Sequence, residues 1–146
     1  MRETFADLWT FHDRGAVVVV TTSGLVGRDG LARLGRGTAA QAGRRFPWFA
    51  ARLGALLAEK GHHVHHVGER VVSFPVEHHP LERPDPTLIR RSAIELASLA
   101  HREGWTCVAI PRPGCGGGAL EWAEVRPLLA PVLDDRFVVV TVGGSG

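Results

Sequence analysis

The chain has 146 residues, a formal net charge of +2 and an apolar fraction of 45%. This length suits one domain with a sizeable core. The small charge argues against strong general nucleic-acid binding, and two cysteines are too few for a disulfide-stapled secreted domain. Since no run approaches the ~20 apolar residues of a membrane span and the first residues lack the apolar core of a signal peptide, we expect a cytoplasmic protein without a membrane partner.

The first half of the chain predicts two strands and two helices separated by a long loop. A short edge strand at 3–5 precedes a strand at 16–22, whose valine run is typical of a strand buried on both faces. The predicted helix 38–45 stops before Pro47, and a second helix opens there and ends at Gly61.

The second half alternates strands and helices. Strands are predicted at 63–67 and 70–74 around a Gly68-Glu69 turn, followed by a proline-rich loop at 75–86. A helix begins at Pro86 or Thr87, with an apolar face of Leu88, Ile89, Ile94, Leu96, Ala97 and Leu99. A strand at 105–110, an irregular helix at 121–133 and a strand at 137–142 complete a single domain, and 143–146 is predicted to be a flexible tail. This order predicts an α/β fold with three layers, α/β/α.

The turn after the 105–110 strand is the most informative segment. It is dense in glycine and leads directly into a helix; its residues are Pro113, Gly114, Cys115, Gly116, Gly117 and Gly118. Glycine lets backbone N–H groups approach an anion closely, and a helix start adds unpaired donors. The turn therefore indicates a phosphate-binding loop, although glycine also serves in loops that only turn tightly.

A second glycine-containing loop strengthens the phosphate interpretation. It follows the 16–22 strand and contains Ser23, Gly24, Gly27, Gly30, Gly35 and Gly37 before the helix start at Thr38-Ala39. Parallel strands would bring both loops to one end of the sheet, where open α/β folds bind ligands. Lys60 is the single lysine and lies at the end of a helix, so a P-loop NTPase is excluded, and no acidic residue completes a dinucleotide fingerprint.

With these loops the chain resembles the macro domains, which bind ADP-ribose. The segment 6–9 with Asp7 and Leu8 is similar to the family's adenine-contacting segment, and the two glycine loops are similar to its two ligand loops. The resemblance implies a macro-domain fold with a mixed central sheet. It also implies these ligand contacts: Asp7, Leu8, Thr22, Ser23, Gly24, Gly35, Arg36, Gly37, Thr38, Ala39, Pro113, Gly114, Cys115, Gly116, Gly117 and Gly118.

Within the family the chain is most similar to the antitoxin macro domains that remove ADP-ribose from DNA. The similar stretches are 37–42 with 45–47, 73–76, and 114–122 with Val125. Two departures concern catalysis: Glu77-His78 follows Phe-Pro-Val where the antitoxins carry a lysine, and Thr22-Ser23-Gly24 lacks the asparagines of many hydrolytic members. The resemblance thus extends further for binding than for hydrolysis.

Three functions remain open at this point. The chain binds ADP-ribose or an ADP-ribosylated macromolecule and hydrolyses the modification on DNA or protein, or it is a catalytically silent reader, or it is a phosphatase on ADP-ribose 1''-phosphate. A partner toxin is possible under the first. Backbone donors can hold a diphosphate unaided, so no metal or other cofactor is expected.

Several polar residues have two interpretations. Glu77 and His78 are candidate acid–base groups for a glycosidic bond, or solvated loop residues. Asp7 contacts adenine or caps a turn, and Arg36 and Arg112 reach phosphates or stay in solvent. The remaining histidines of the 62–66 cluster are divided between two strand faces, which argues against a metal site. Cys115 has no adjacent base, which argues against a nucleophilic thiol.

Overall fold

The structure is a computed structural model that describes residues 1–141. Its strands are β1 (Arg2–Phe5), β2 (Val17–Thr22), β3 (His65–Gly68), β4 (Val71–Pro75), β5 (Val108–Pro111) and β6 (Phe137–Thr141). Its helices are α1 (Leu8–Asp13), α2 (Thr38–Arg45), α3 (Phe49–Lys60), α4 (Pro86–Glu103) and α5 (Trp122–Leu129). Val142, predicted to end the last strand, and the predicted tail at 143–146 lie outside the described residues. Among the described helices, none has the length and apolar character needed to span a bilayer.

The strands form one six-stranded sheet in the order β1-β6-β5-β2-β4-β3. All neighbours pair in parallel except β3, which runs antiparallel to β4. The predicted mixed sheet is confirmed. Because β2, β4 and β5 are parallel neighbours, the chain leaves all three at the same edge of the sheet.

Side chains of β2 alternate between two apolar layers. Val17 and Val19 belong to the cluster that contains Ile89 and Leu96 of α4, while Val18 and Val20 belong to a second cluster on the other face. The second cluster includes residues of α1, α2 and α3, among them Leu8, Ala42, Phe49 and Leu53. Helices therefore cover both faces of the sheet, and the predicted three-layer architecture is confirmed.

Most predicted boundaries lie within two residues of the observed ones, and α2 spans the predicted 38–45. The strand predicted at 105–110 is shorter than expected, since β5 begins at Val108. The prediction that Ile94 lies on the buried face of α4 is wrong, because its side chain is 50% exposed. The buried face follows the helical spacing of Ile89, Ala93, Leu96 and Ala100 instead.

The long loop between β2 and α2 is folded against α3. Val26 and Ala32 form an isolated antiparallel bridge, and the Ala32 N–H donates to the Ala50 carbonyl oxygen over 2.9 Å. Gly54 makes the approach possible: a Cβ at this position would lie 2.0 Å from the Gly30 carbonyl oxygen. The absence of a side chain in α3 thus sets the position of the loop.

We expect Gly54→Ala to lower the free energy of unfolding by about 1–3 kcal/mol, since the methyl group must displace backbone rather than a side chain. Gly43→Ala in α2 is the matched control. Its Cβ would lie 2.5 Å from Leu34 Cδ1, the mobile end of a side chain. Urea unfolding of both variants measures the difference, and equal stabilities would contradict the close approach of α3 to the loop.

Candidate ligand site

Three loops meet at the carboxyl edge of the sheet: 23–37 after β2, 76–85 after β4 and 112–121 after β5. The Val76 N–H donates to the Thr22 carbonyl oxygen over 3.0 Å, which joins the first two loops. A Cβ on Gly114 would lie 3.1 Å from Pro84 Cβ, so the second and third loops are also in contact. The structure thus brings both predicted glycine loops together and adds the 76–85 loop between them.

A cavity of about 390 Å³ opens beside these loops. Its walls come from the start of α1, from α2 and from the ends of β5 and β6. The lining residues are Asp7, Leu8, Trp9, Thr38, Gln41, Arg44, Arg45, Pro111 and Val140. Of the residues predicted from sequence, Asp7, Leu8 and Thr38 are therefore in one cavity.

Asp7 caps α1 while lining this cavity. Its Oδ1 accepts a hydrogen bond from the Trp9 N–H over 2.9 Å, as in an N-cap. The residue is exposed, so its second carboxylate oxygen is open to a ligand. The two interpretations of Asp7 are compatible, because each uses a different oxygen.

Sequence reasoning did not single out the aromatic wall of the cavity. Trp9 is buried, its indole N–H donates to Gln41 Oε1 over 2.8 Å, and the guanidinium carbon of Arg45 lies 4.6 Å from a Trp9 ring centroid. Gln41 and Arg45 lie one helical turn apart on α2, so their spacing was the available signal. They place hydrogen-bonding and cationic groups next to a flat apolar surface.

The first glycine loop leads into the N-terminus of α2, which has no side-chain cap. Gly37 is the N-cap of α2 at φ 77° and ψ −144°, a conformation that favours glycine, and no side chain caps the helix. The Thr38 hydroxyl accepts from the Thr21 N–H over 3.0 Å and so ties α2 to β2. The first amides of α2 are available to an anion.

The second glycine loop contains a short 3-10 turn over Gly116–Gly118. Gly114 and Gly117 have φ of 76° and 65°, which L side chains rarely adopt. The Leu120 N–H donates to the Gly114 carbonyl oxygen over 3.0 Å and closes the loop. A Cβ on Gly116 would meet no described atom within 4 Å, so the surface above this residue is open.

The two loop arginines differ. Arg36 is exposed, whereas Arg112 is half-buried with its guanidinium carbon 5.0 Å from a Trp122 ring centroid. Its Nε is buried and has no hydrogen-bond partner within residues 1–141. Arg112 is therefore partly withdrawn from solvent by Trp122. The indole of Trp122 packs against the apolar cluster that contains residues of α4 and α5, and its N–H donates to Glu3 Oε1 over 3.0 Å.

Thr22 ends β2 and is followed by Ser23 and by the half-buried Gly24. Thr22 and Ser23 are 4% and 6% exposed, and the Ser23 hydroxyl donates to the Arg33 carbonyl oxygen over 3.3 Å. This hydroxyl therefore folds the loop. A Cβ on Gly24 would lie 3.0 Å from the Cγ of His62, so an imidazole ring covers this glycine.

His62 differs from His63, His65 and His66, because its ring lies against Gly24 of the first ligand loop. Burial first, and then the positive charges of His78, Arg91 and His63, lower its pKa to about 4, against a weaker opposite effect of Glu95. Its Nε2 is buried and finds no hydrogen-bond partner in the described part of the chain. At neutral pH this imidazole is uncharged.

The other histidines of the cluster are dispersed. His63 faces Glu95 at 2.9 Å, buried His65 bonds the Gly61 carbonyl oxygen at 2.8 Å, and His66 is exposed on the opposite strand face. Within residues 1–141, no group of three histidine, cysteine, aspartate or glutamate side chains is arranged to hold a metal ion.

The candidate acid–base residues lie on the 76–85 loop. Burial, with a smaller effect of Glu82, raises the pKa of Glu77. His78 is exposed, and its Nε2 lies 3.4 Å from Asp85 Oδ2. Cys115 is half-buried, and burial raises the pKa of its thiol, which disfavours the reactive thiolate.

Comparison with known proteins follows this geometry. No protein-family model matches the chain, and no curated protein matches it in sequence. Among solved structures it is similar to the macrodomain of Thermus aquaticus DarG, with 22% identity and a TM-score of 0.74 over 96% of both chains. The macrodomain of Mycobacterium tuberculosis DarG gives 22% identity and a TM-score of 0.75, covering 97% of this chain and 98% of that one.

A third structure, Thermosipho africanus DarTG in complex with ADP-ribose, gives a TM-score of 0.77 at 16% identity. That match covers all of this chain and 43% of the other. The chain has the macrodomain fold. The resemblance seen in the sequence is thus confirmed at the level of the fold, and the DarG macrodomains among these structures agree with the antitoxin motifs.

In this macrodomain fold the half-buried, neutral His62 should make stability depend on pH. Its folded pKa of about 4 lies below the unfolded value of 6.5, so between these values the unfolded chain binds more protons. The stabilisation is present above pH 6.5 and is lost as the pH falls towards 4.

We expect this loss to be about 1–2 kcal/mol, discounted because the side chain is only half-buried. Urea unfolding at pH 7 and pH 4.5 measures it, with His62→Gln losing less stability than the wild type over this interval. His66→Gln, at an exposed histidine, is the control and should follow the wild type. Identical pH slopes for all three proteins would show that His62 is not buried as described.

Proposed function

We propose that the chain binds ADP-ribose or an ADP-ribosyl group. The observation that carries this proposal is the juxtaposition of the cavity at Asp7 with the uncapped start of α2 and the exposed glycines Gly116 and Gly117. A nucleoside, a diphosphate and a second sugar need such a continuous site, with an apolar wall at one end and anion donors in the middle. A structure with the same fold contains ADP-ribose.

The proposed orientation follows the chemistry of each part of the site. Adenine occupies the cavity, where the open oxygen of Asp7 accepts from its amino group and Trp9 provides the apolar wall. The diphosphate lies between the start of α2 and the Gly114–Gly118 loop. The distal ribose lies near Gly24, at the end of the site that His62 covers.

We further propose that the chain hydrolyses the ADP-ribosyl modification on DNA. The distal end of the site is bordered by exposed arginines on the loops 23–37 and 76–85, namely Arg28, Arg33, Arg36 and Arg83. The exposed acids on these loops are Asp29, which pairs with Arg33 at 3.1 Å, and Glu82. With the carboxylates of Glu77 and Asp85 the two loops have no net charge, so the support from these arginines is that exposed guanidinium groups can each contact a phosphate of a polyanion.

Calorimetric titration with ADP-ribose tests the binding proposal, with AMP and NAD as comparison ligands. We expect Asp7→Asn to keep the α1 cap, since asparagine caps as well as aspartate. It should weaken ADP-ribose binding by about 10-fold or more, because a hydrogen bond to a charged group contributes about 1.5–3 kcal/mol. Asp13→Asn, at the exposed other end of α1, is the matched control. Equal affinity of all three proteins for ADP-ribose would show that adenine does not occupy the Asp7 cavity.

Gly116 tests the diphosphate position. A side chain here meets open space, so Gly116→Phe should fold with an unchanged melting temperature. It should nevertheless weaken ADP-ribose binding by about 100-fold or more, since the ring fills the space assigned to the diphosphate. Gly116→Ala should give an intermediate loss. Wild-type affinity in the phenylalanine variant would show that the ligand does not lie over this loop.

Release of ADP-ribose from a single-stranded oligonucleotide that carries it on a base tests the hydrolase proposal. Turnover by wild-type protein is the expected result. Binding of the oligonucleotide without release would make the chain a silent reader, and release from a modified peptide alone would replace DNA by protein as the target.

A further inference from the structure

We propose that His78 and Asp85 form a dyad in which His78 is the general base of the hydrolysis, with His62 as a positioning residue. This inference rests on the proposed hydrolase function and assigns its catalytic group. It is carried by three observations: the pairing of His78 with Asp85, the anchoring of Asp85, and the contact of His62 with both His78 and Gly24.

Asp85 is held rigidly between β4 and α4. Its Oδ1 accepts from the Thr87 N–H over 2.9 Å as the N-cap of α4, and its own N–H donates to the Val76 carbonyl oxygen over 2.8 Å. Its second oxygen, Oδ2, faces His78 Nε2 at 3.4 Å. A carboxylate accepts but cannot donate, so this contact assigns the ring proton to Nε2 and leaves the lone pair on Nδ1.

His62 connects this dyad with the loop assigned to the distal ribose. Its ring lies against Gly24, and its centroid is 5.5 Å from that of His78 at an interplanar angle of 68°. One imidazole therefore separates His78 from Gly24. The Val76–Thr22 hydrogen bond joins the backbone of the two loops that carry His78 and Gly24.

The His62 segment is itself anchored to α4. The Arg91 guanidinium donates to the His62 carbonyl oxygen, and Glu95 accepts from the Val64 N–H over 2.9 Å. Glu95 also faces His63 at 2.9 Å. These contacts fix the position of the His62 imidazole beside His78.

The step that the geometry points to is a base-assisted attack of water on C1'' of the ADP-ribosyl group. One O–H bond of the water breaks and its proton passes to His78 Nδ1, while the oxygen forms a bond to C1''. The bond between C1'' and the nitrogen of the modified nucleobase breaks, and its electron pair stays on that nitrogen. The nucleobase nitrogen then takes up the proton from His78, which leaves free ADP-ribose and the unmodified nucleobase. Asp85 stabilises the imidazolium formed in between.

The experiment compares His78→Ala, Asp85→Asn and the control His79→Asn in the modified-oligonucleotide assay. Asparagine preserves the α4 cap but removes the carboxylate, so Asp85→Asn isolates the effect on the ring proton. The control keeps an acceptor for the Leu81 N–H, which His79 Nδ1 bonds over 3.1 Å. We expect kcat to fall about 10²–10⁴-fold in the first two variants at unchanged KM and unchanged affinity for ADP-ribose. Added imidazole should restore part of the activity of His78→Ala, a rescue that a purely structural role would not give.

Two results would overturn the dyad. One is wild-type turnover in Asp85→Asn, or turnover in His78→Ala that matches the control. The other is a wild-type protein that binds ADP-ribose by calorimetry but releases none from the oligonucleotide, in which case the binding proposal stands and the dyad fails. A wild-type protein that does not bind ADP-ribose would instead contradict both the binding proposal and the dyad.

Discussion

The central position of β2 is the constraint on which the site depends. This strand pairs in parallel with β4 on one side and β5 on the other, so three chain segments leave the sheet side by side. The hydrogen bond between Val76 and Thr22 continues the pairing one step past the strands. A slip of either neighbour by one residue would exchange the side chains that pack in the two apolar layers, and the packing of both layers disfavours such an exchange. The packing of the core therefore fixes the relative positions of the loops.

The two ends of the site differ in chemistry because different layers build them. At the Asp7 end, α1 and α2 provide an indole, an amide and a guanidinium around a carboxylate. At the Gly24 end, the turn before β3 and the loop before α4 provide imidazoles and a carboxylate. Under the proposed function, this division would separate recognition of adenine from chemistry at a sugar carbon.

The sequence predicted most of the fold and the glycine loops because both leave local signals. A run of valines is typical of a buried strand, and glycine before a helix indicates an anion site. His62 and Asp85 leave no such signal, since their positions depend on the packing of residues far apart in the chain. His62 is separated from Gly24 by α2 and α3, and Asp85 is predictable from its sequence position only as a cap for α4. The prediction for Ile94 failed for the same reason, because the elements that pack against a helix determine which of its sides is exposed.

The residue after Phe-Pro-Val is the main chemical difference from the lysine pattern of the antitoxins. Glu77 brings a negative charge where a lysine would bring a positive one, and its raised pKa reflects burial beside another carboxylate. A carboxylate here would repel a diphosphate, so it does not replace the lysine in attracting the ligand. Imidazole can accept a proton while carrying no charge beforehand, and it can do so beside arginines that attract the phosphates. In the proposed hydrolysis, a loop with two histidines and no lysine can still transfer a proton, provided that one imidazole is oriented as Asp85 orients His78.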